Sequence, residues 1–248
     1  MILGIMNENG ETPVGVRLNK YISEAGVASR RGSDKLIEDG HVTIDGRKAV
    51  LGDRVLPDSV VCVDGNRISK VEDDIILAFY KPAGITCTSN PEDRDNVIDF
   101  IGYPKRIYSI GRLDKDSEGL LLMTNNGELA NGVMRSKNEH EKEYIVTVDK
   151  DVTPEFIENM SNGVPILDGR ITKKCFVEQT GVREFRIILK QGLNRQIRRM
   201  CEYFGFNVTK LVRIRVMNIT VNGLKEGRYR DISKQERLEL YDILGIWK

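Results

Sequence analysis

The side chains in this sequence that could do chemistry are carboxylates, hydroxyls and arginines. Asp114 stands in GRLDKDSEG, a polar run just ahead of the apolar LLLM. Tyr144 stands in EKEYIVTVD and Arg198 in QGLNRQIRRMCEYFG. Other catalytic equipment is missing. The two histidines, His41 and His140, are too few for a His-rich metal site. No GxSxG elbow presents a serine. Cys62, Cys87, Cys175 and Cys201 contain no CxxC pair, so neither a zinc site nor a disulfide framework is expected, and scattered thiols suit a reducing cytoplasm. Neither GxxxxGK[ST] nor GxGxxG occurs, which excludes phosphate binding by those loops.

Charge adds a partner class. Lys and Arg number 38 against 37 Asp and Glu, a net charge of +1, but the balance is uneven. From Arg186 to Arg215 stand Arg186, Lys190, Arg195, Arg198, Arg199, Lys210, Arg213 and Arg215, opposed by Glu202 alone. Residues 17–35 hold Arg17, Lys20, Arg30, Arg31 and Lys35 against Glu24 and Asp34. Two basic regions in an otherwise acidic chain point to a polyanion met in two places. The chain has 248 residues, enough for one or two domains, and is 40% hydrophobic, enough for a core. Apolar runs such as IILAFY at 75–80 fall far short of the roughly 20 residues of a membrane helix. MILGIMNENGETP lacks the basic flank and cleavage site of a signal peptide and reads as a tail.

These side chains need elements to hold them. RLNKYISEA at 17–25 puts Leu18, Tyr21, Ile22 and Ala25 on one helical face, with Gly26 as its stop. Ser29 can cap a second helix through Asp39. Asp45-Gly46 and Asp64-Gly65 are two-residue hairpin signals. VEDD reads as a linker near 71–75, followed by a buried strand over Ile75 to Tyr80 and a turn at Pro82 and Gly84. Leu120 to Met123 reads as a buried strand and Asn126-Gly127 as a turn. Strands are expected at 141–149 and 185–190. Residues 191–205 read as a helix capped by Asn194, with Ile197, Met200, Cys201 and Phe204 inward and Gly205 as stop. On it Arg195 and Arg199 share the outer side. Arg198 flanks the apolar stripe, where partial burial requires a carboxylate or phosphate partner.

RLNKYISEAGVASRRGSDKLIEDGHVTIDG resembles an S4 RNA-binding domain. YKPAGI, GRLDKDSEGLLLMTNNG, EKEY and GLNRQIRRMCEYFG, in that order, resemble the motifs of ribosomal RNA pseudouridine synthases that carry such a domain. The likeness runs from about Val16 to Ser233. Met217-Asn218, where related enzymes usually have Ile-Gly, inclines it toward the subgroup acting on a uridine of 23S rRNA near the peptidyl-transferase region.

The resemblance implies an α+β fold: a tail over 1–15, an S4 domain over 16–73 and a catalytic domain over 74–248 with a mixed, largely antiparallel sheet flanked by helices. It gives Asp114 the role of reacting carboxylate, through attack on sugar or base or through a glycal. It gives Arg198 the role of its counter-charge and Tyr144 that of a platform for uracil and a proton-moving hydroxyl. Arg17, Lys20, Arg30, Arg31, Lys35, Lys81, Arg112, Arg195 and Arg199 are the expected phosphate contacts. Isomerisation oxidises nothing and transfers nothing to water, so no cofactor or metal is expected. The implied partner is 23S rRNA, with the same reaction on another rRNA uridine or on a tRNA uridine left open; a cytoplasmic monomer without membrane contact is expected. A non-catalytic S4-type binder or assembly factor would not need an acid, an aromatic and an arginine together, and a hydrolase would lack a base for its water.

Overall fold

The computed structural model describes residues 15–70, 73–90, 92–135, 139–167 and 169–246. The expected tail up to residue 14 and the first half of the expected linker lie outside them. Gly15 is buried, and a side chain on it would meet the Val55 carbonyl at 2.8 Å, so it belongs to the folded unit. The chain forms two compact units, residues 1–74 and 75–248.

The first unit grows from local signals. Ser29 caps helix Arg30–Glu38 by accepting from the Gly32 N–H at 3.0 Å. Helix Leu18–Glu24 packs beside it through Leu18, Ile22 and Ile37. At Asp45-Gly46 φ is 51° and 79°, and at Asp64-Gly65 it is 49° and 78°. Both residues of each turn are left-handed, as a tight hairpin of right-twisted strands requires. The turns join Val42–Ile44 to Arg47–Lys48 and Val61–Val63 to Asn66–Ile68 in a four-stranded antiparallel sheet.

The second unit is a nine-stranded mixed sheet. Its main path runs Phe176–Gly181, Glu184–Leu189, Lys142–Val148, Val208–Val216, Glu118–Thr124, Ile76–Lys81 and Tyr229–Asp231. Only the contact of Val208–Val216 with Glu118–Thr124 is parallel among the described pairs. Helices cover both faces. Ile76, Ala78, Leu120 and Leu122 pack with residues of helices Gly127–Met134 and Lys234–Leu244; Leu77, Phe79, Leu121 and Met123 pack on the opposite side with Val97, Ile107 and Leu113. A strand buried on both faces must be apolar throughout, which is why these two segments do not alternate. Helices Pro154–Ser161 and Gln196–Tyr203 close a third core over Val146, Phe185 and Ile187. Asn126-Gly127 makes no turn between strands. The Asn126 carboxamide instead accepts from the Glu128 and Leu129 N–H groups and starts helix Gly127–Met134.

Gly119 sets the central parallel contact. Its φ is +104°, and a Cβ would stand 2.3 Å from the Arg213 carbonyl oxygen and 2.7 Å from the Arg213 nitrogen. No neighbouring side chain can yield that space, because the obstacle is backbone. Gly119→Ala is therefore expected to destabilise the second unit by about 3 kcal/mol or more in urea denaturation. Gly223→Ala, at φ +76° with nothing within 4 Å of the new carbon, is the control and should cost about 1 kcal/mol. Equal costs would show that the close approach at Gly119 does not constrain the sheet.

Candidate active site

Asp114 lies on the loop between strands Tyr108–Ile110 and Glu118–Thr124. Gly111 turns the chain out of the first strand with φ +77°. Leu113 is buried in the core under the sheet, and its N–H donates to the Cys87 sulfur at 3.3 Å. Ser117 N–H donates to the Asp114 carbonyl at 3.1 Å, tightening the turn. Asp114 is half-buried at the wall of a cavity of about 440 Å³, which Arg112, Tyr144, Arg195 and Arg198 also line.

Three buried cations hold the backbone of this loop. Arg198, 7% exposed, donates from Nη2 to the Asp116 carbonyl and from Nη1 to the Val208 carbonyl, each at 3.0 Å. Arg213, 3% exposed, donates from Nε to the Leu120 carbonyl at 2.7 Å and from Nη1 to the Arg112 carbonyl at 3.3 Å. Lys81 has no exposed surface; its Nζ donates to the Pro82 and Ile85 carbonyls at 2.8 and 2.7 Å and to that of Lys115 at 3.5 Å. Burial holds the Lys81 ammonium below the usual lysine range, against the opposing pull of nearby anionic groups, Asp116 and Asp114 among them. Carbonyls of Arg112 and Asp116 are thus each held by a guanidinium from outside the loop, and that of Lys115 accepts from the Gly84 N–H at 2.7 Å with the Lys81 ammonium at 3.5 Å.

This arrangement corrects several expectations. Arg198 is buried and has its carboxylate, but the partner is Asp116 at 3.3 Å rather than Asp114. Arg195 is not on the outer side of a helix with Arg199. The helix begins at Gln196, and Arg195 precedes it in the left-handed conformation, φ 49° and ψ 37°. That bend sends its guanidinium to Asp116 at 3.3 Å and to within 3.8 Å of the Asp114 carboxylate. Asn194 does not cap the helix; its carboxamide oxygen accepts from Arg199 at 3.0 Å. Lys81 is no phosphate contact, because its charge is enclosed by carbonyls.

Asp116 was absent from the sequence expectations, although it stands two residues beyond Asp114. Burial opposes its ionisation, but the Arg195 hydrogen bond and the charges of Arg198 and Arg195 outweigh this and hold its carboxyl below the usual range. In the sequence Arg213 stands out only as part of a basic run. That run is largely neutralised within the fold: Arg186 and Arg215 pair with Glu143, Lys210 with Glu118, and Lys190 comes within 4.0 Å of Glu141. It is therefore not a continuous polyanion surface.

Tyr144 sits on strand Lys142–Val148, directly across from Arg213 and beside cores on both sides. Its hydroxyl has no hydrogen-bond partner among the described residues. Arg112 is exposed at the cavity rim, also without a side-chain partner among the described residues. In the first unit Arg17, Arg30, Arg31 and Lys35 are exposed and likewise unpaired, whereas Lys20 pairs with Glu24 at 3.5 Å. Among the described residues no group of His, Cys, Asp and Glu could hold a metal ion.

Residues 75–203 match the model of RNA pseudouridylate synthases, and residues 16–61 match that of the S4 domain. The chain is 52% identical over 235 residues to the dual-specificity RNA pseudouridine synthase RluF of Salmonella typhi, covering 94% of this chain and 81% of that protein. It is 40% identical over 244 residues to ribosomal large subunit pseudouridine synthase B of Vibrio cholerae, covering 93% and 75%. A crystal structure of a pseudouridylate synthase superposes with TM-score 0.67 at 25% identity, covering 91% of this chain and 99% of that one.

Arg195 and Arg199 now separate in a way that titration can read. Carbon-detected NMR should place the Asp116 carboxyl below the ordinary value of about 3.9. Arg195→Gln should move it upward and Arg199→Gln should leave it in place. With a depressed folded value, Asp116 contributes stability above its unfolded value, and this is lost as pH falls through the folded one. Arg195→Gln should thus shrink the acid-induced part of the stability loss. An unmoved Asp116 in Arg195→Gln would contradict the contact.

Proposed function

The chain belongs to the RNA pseudouridylate synthase family, and from that membership we propose that it isomerises a uridine of 23S rRNA near the peptidyl-transferase region, with Asp114 as the reacting carboxylate. The observation that carries the assignment is the convergence of Asp114, Tyr144 and a guanidinium on one cavity, over a loop whose backbone is fixed by buried charge.

In the reaction the C1′–N1 bond breaks, uracil turns and a C1′–C5 bond forms. Atoms and electrons balance within the nucleotide. The carboxylate must therefore be ionised and aimed rather than assisted by a redox group. Arg195, 3.8 Å from the Asp114 carboxylate, stands beside it without enclosing it in a hydrogen bond, leaving an oxygen for the sugar or base. Tyr144 offers its ring to the detached uracil and its unpaired hydroxyl to a proton at the sugar. A stacked uridine must first be turned out, at a cost of a few kcal/mol. Phosphate contacts by Arg112, Arg199, Arg17, Arg30, Arg31 and Lys35 would offset it.

The relatives' name, dual-specificity, favours a second RNA, and a tRNA uridine is the one we assign to it. The protein acts in this reading as a cytoplasmic monomer. No described helix is long and apolar enough to cross a membrane.

Single-turnover assays on a 23S rRNA fragment test the assignment. Asp114→Asn should lower conversion at least a thousandfold, about 4 kcal/mol of barrier, with RNA affinity retained. Tyr144→Phe keeps the ring and should also slow bound RNA strongly. Turnover of Asp114→Asn within tenfold of wild type would remove Asp114 from the chemistry. A fall in affinity with unchanged bound turnover would make Tyr144 a binding residue only.

A further inference from the structure

A second cavity, about 390 Å³, adjoins the one at Asp114. The two share Gly111, Arg112 and Met134, so part of the aspartate loop is the wall between them. Its far side comes from helix Val97–Ile101, through Val97 and Ile98, and from the segment carrying Thr88 and Ser89. Strand Tyr108–Ile110 supplies the Tyr108 ring and the Ser109 hydroxyl.

Chemistry narrows the occupant. Among the described lining residues there is no carboxylate, and Arg112 is the single charged group. The rest is apolar surface interleaved with hydroxyls that can donate or accept. Such a lining suits a flat, neutral heteroaromatic ring with a polar edge, next to one negative charge. A nucleobase with its phosphate fits that description, and unstacked bases are recognised in this way, on apolar and aromatic side chains with hydrogen bonds to their edges. The shared wall sets the spacing. A strand placing one base against Asp114 must carry its next base and the intervening phosphate past Arg112, whose guanidinium has no partner among the described residues. Met134, 46% exposed, is soft enough to accommodate either side.

We propose that this second cavity receives the base of a nucleotide adjoining the target uridine. The inference rests on the RNA-modifying reading given above and deepens it. Seating this base would also bear on catalysis, because Cys87 in the same cavity accepts from the Leu113 N–H next to Asp114. Two turned-out bases would then be recognised together, and substrate choice would depend on a neighbour as well as on the uridine.

The test uses an rRNA fragment in which the modified uridine has been mapped, prepared intact and with an abasic ribose immediately 5′ or 3′ of it. For the wild-type full chain, removing the base on one side should raise the RNA concentration for half-maximal single turnover at least tenfold. Ser89→Trp fills the mouth of the cavity from an exposed position. It should weaken the intact RNA by a similar factor and abolish the difference between intact and abasic RNA. Ile98→Ala, which enlarges the cavity without blocking it, should reduce that difference, and serves if the tryptophan variant does not fold. A change below twofold on both sides for wild type overturns the proposal. So does a flank effect that persists undiminished in the folded variants. If wild type converts no uridine in any RNA, the RNA-modifying reading itself fails, which is a separable outcome.

Discussion

The structure depends on a loop whose backbone is held by charge. Arg198, Arg213 and Lys81 each bring a buried cation to a carbonyl within residues 112–116. A buried cation without partners is costly, and a carbonyl in an irregular loop also needs a donor. Each supplies a partner to the other here, although Arg198 Nε and Arg213 Nη2 stay buried without a hydrogen bond among the described residues. Hydrogen bonds from charged donors contribute about 1.5–3 kcal/mol each, more than neutral ones. Losing Arg198 would leave the Asp116 carbonyl without that charged donor and losing Arg213 would do the same to the Arg112 carbonyl, whereas the Lys115 carbonyl also accepts from the Gly84 N–H at 2.7 Å. These contacts let the Asp114 carboxylate project into a cavity with its direction set by backbone rather than by its own contacts.

The sheet exists in the form needed to deliver those cations. Lys81 ends a strand buried on both faces, Arg213 sits at the one parallel contact, and Arg198 comes from a helix packed on the neighbouring core. Gly119 permits the Val208–Val216 strand to approach closely enough for Arg213 to reach both Leu120 and Arg112. The exposed cations that the site could use lie apart from these, Arg112 at the cavity and Arg17, Arg30, Arg31 and Lys35 on the first unit. The charge excess visible in the sequence thus has three fates. Some is structural, some is neutralised by glutamates, and a smaller part is left for phosphates.

Local signals were legible. Ser29, the two Asp-Gly turns and the apolar runs at 75–80 and 120–123 each specify their element through nearby atoms alone. The order of motifs located Asp114, Tyr144 and Arg198, and the structure brings them to one cavity. What escaped depends on partners far along the chain. Arg195 reads as a helix residue because the carboxylates its left-handed bend turns it toward, Asp116 and Asp114, lie about 80 residues earlier. Lys81 reads as a surface lysine because its enclosure needs the turn through Pro82 and Ile85 to fold back over it against the loop carrying Lys115, 34 residues away. Val208–Val216 carries lysine and arginines on a strand whose neighbours supply the glutamates, so its composition hides its burial. Asn126 has equal claim to a turn or a cap, and the helix that follows decides between them.

Arg198→Lys tests the central claim most directly, since it keeps a positive charge and removes the planar fork that spans two carbonyls. The measurement is the single-turnover rate at saturating RNA, with RNA affinity and secondary structure followed on the same preparation and Arg199→Lys as control. The account predicts a fall of at least a hundredfold for Arg198→Lys, with affinity and fold retained, and little change for Arg199→Lys. A folded Arg198→Lys protein that turns over bound RNA within threefold of wild type would show that the arginine grip on the loop does not aim Asp114.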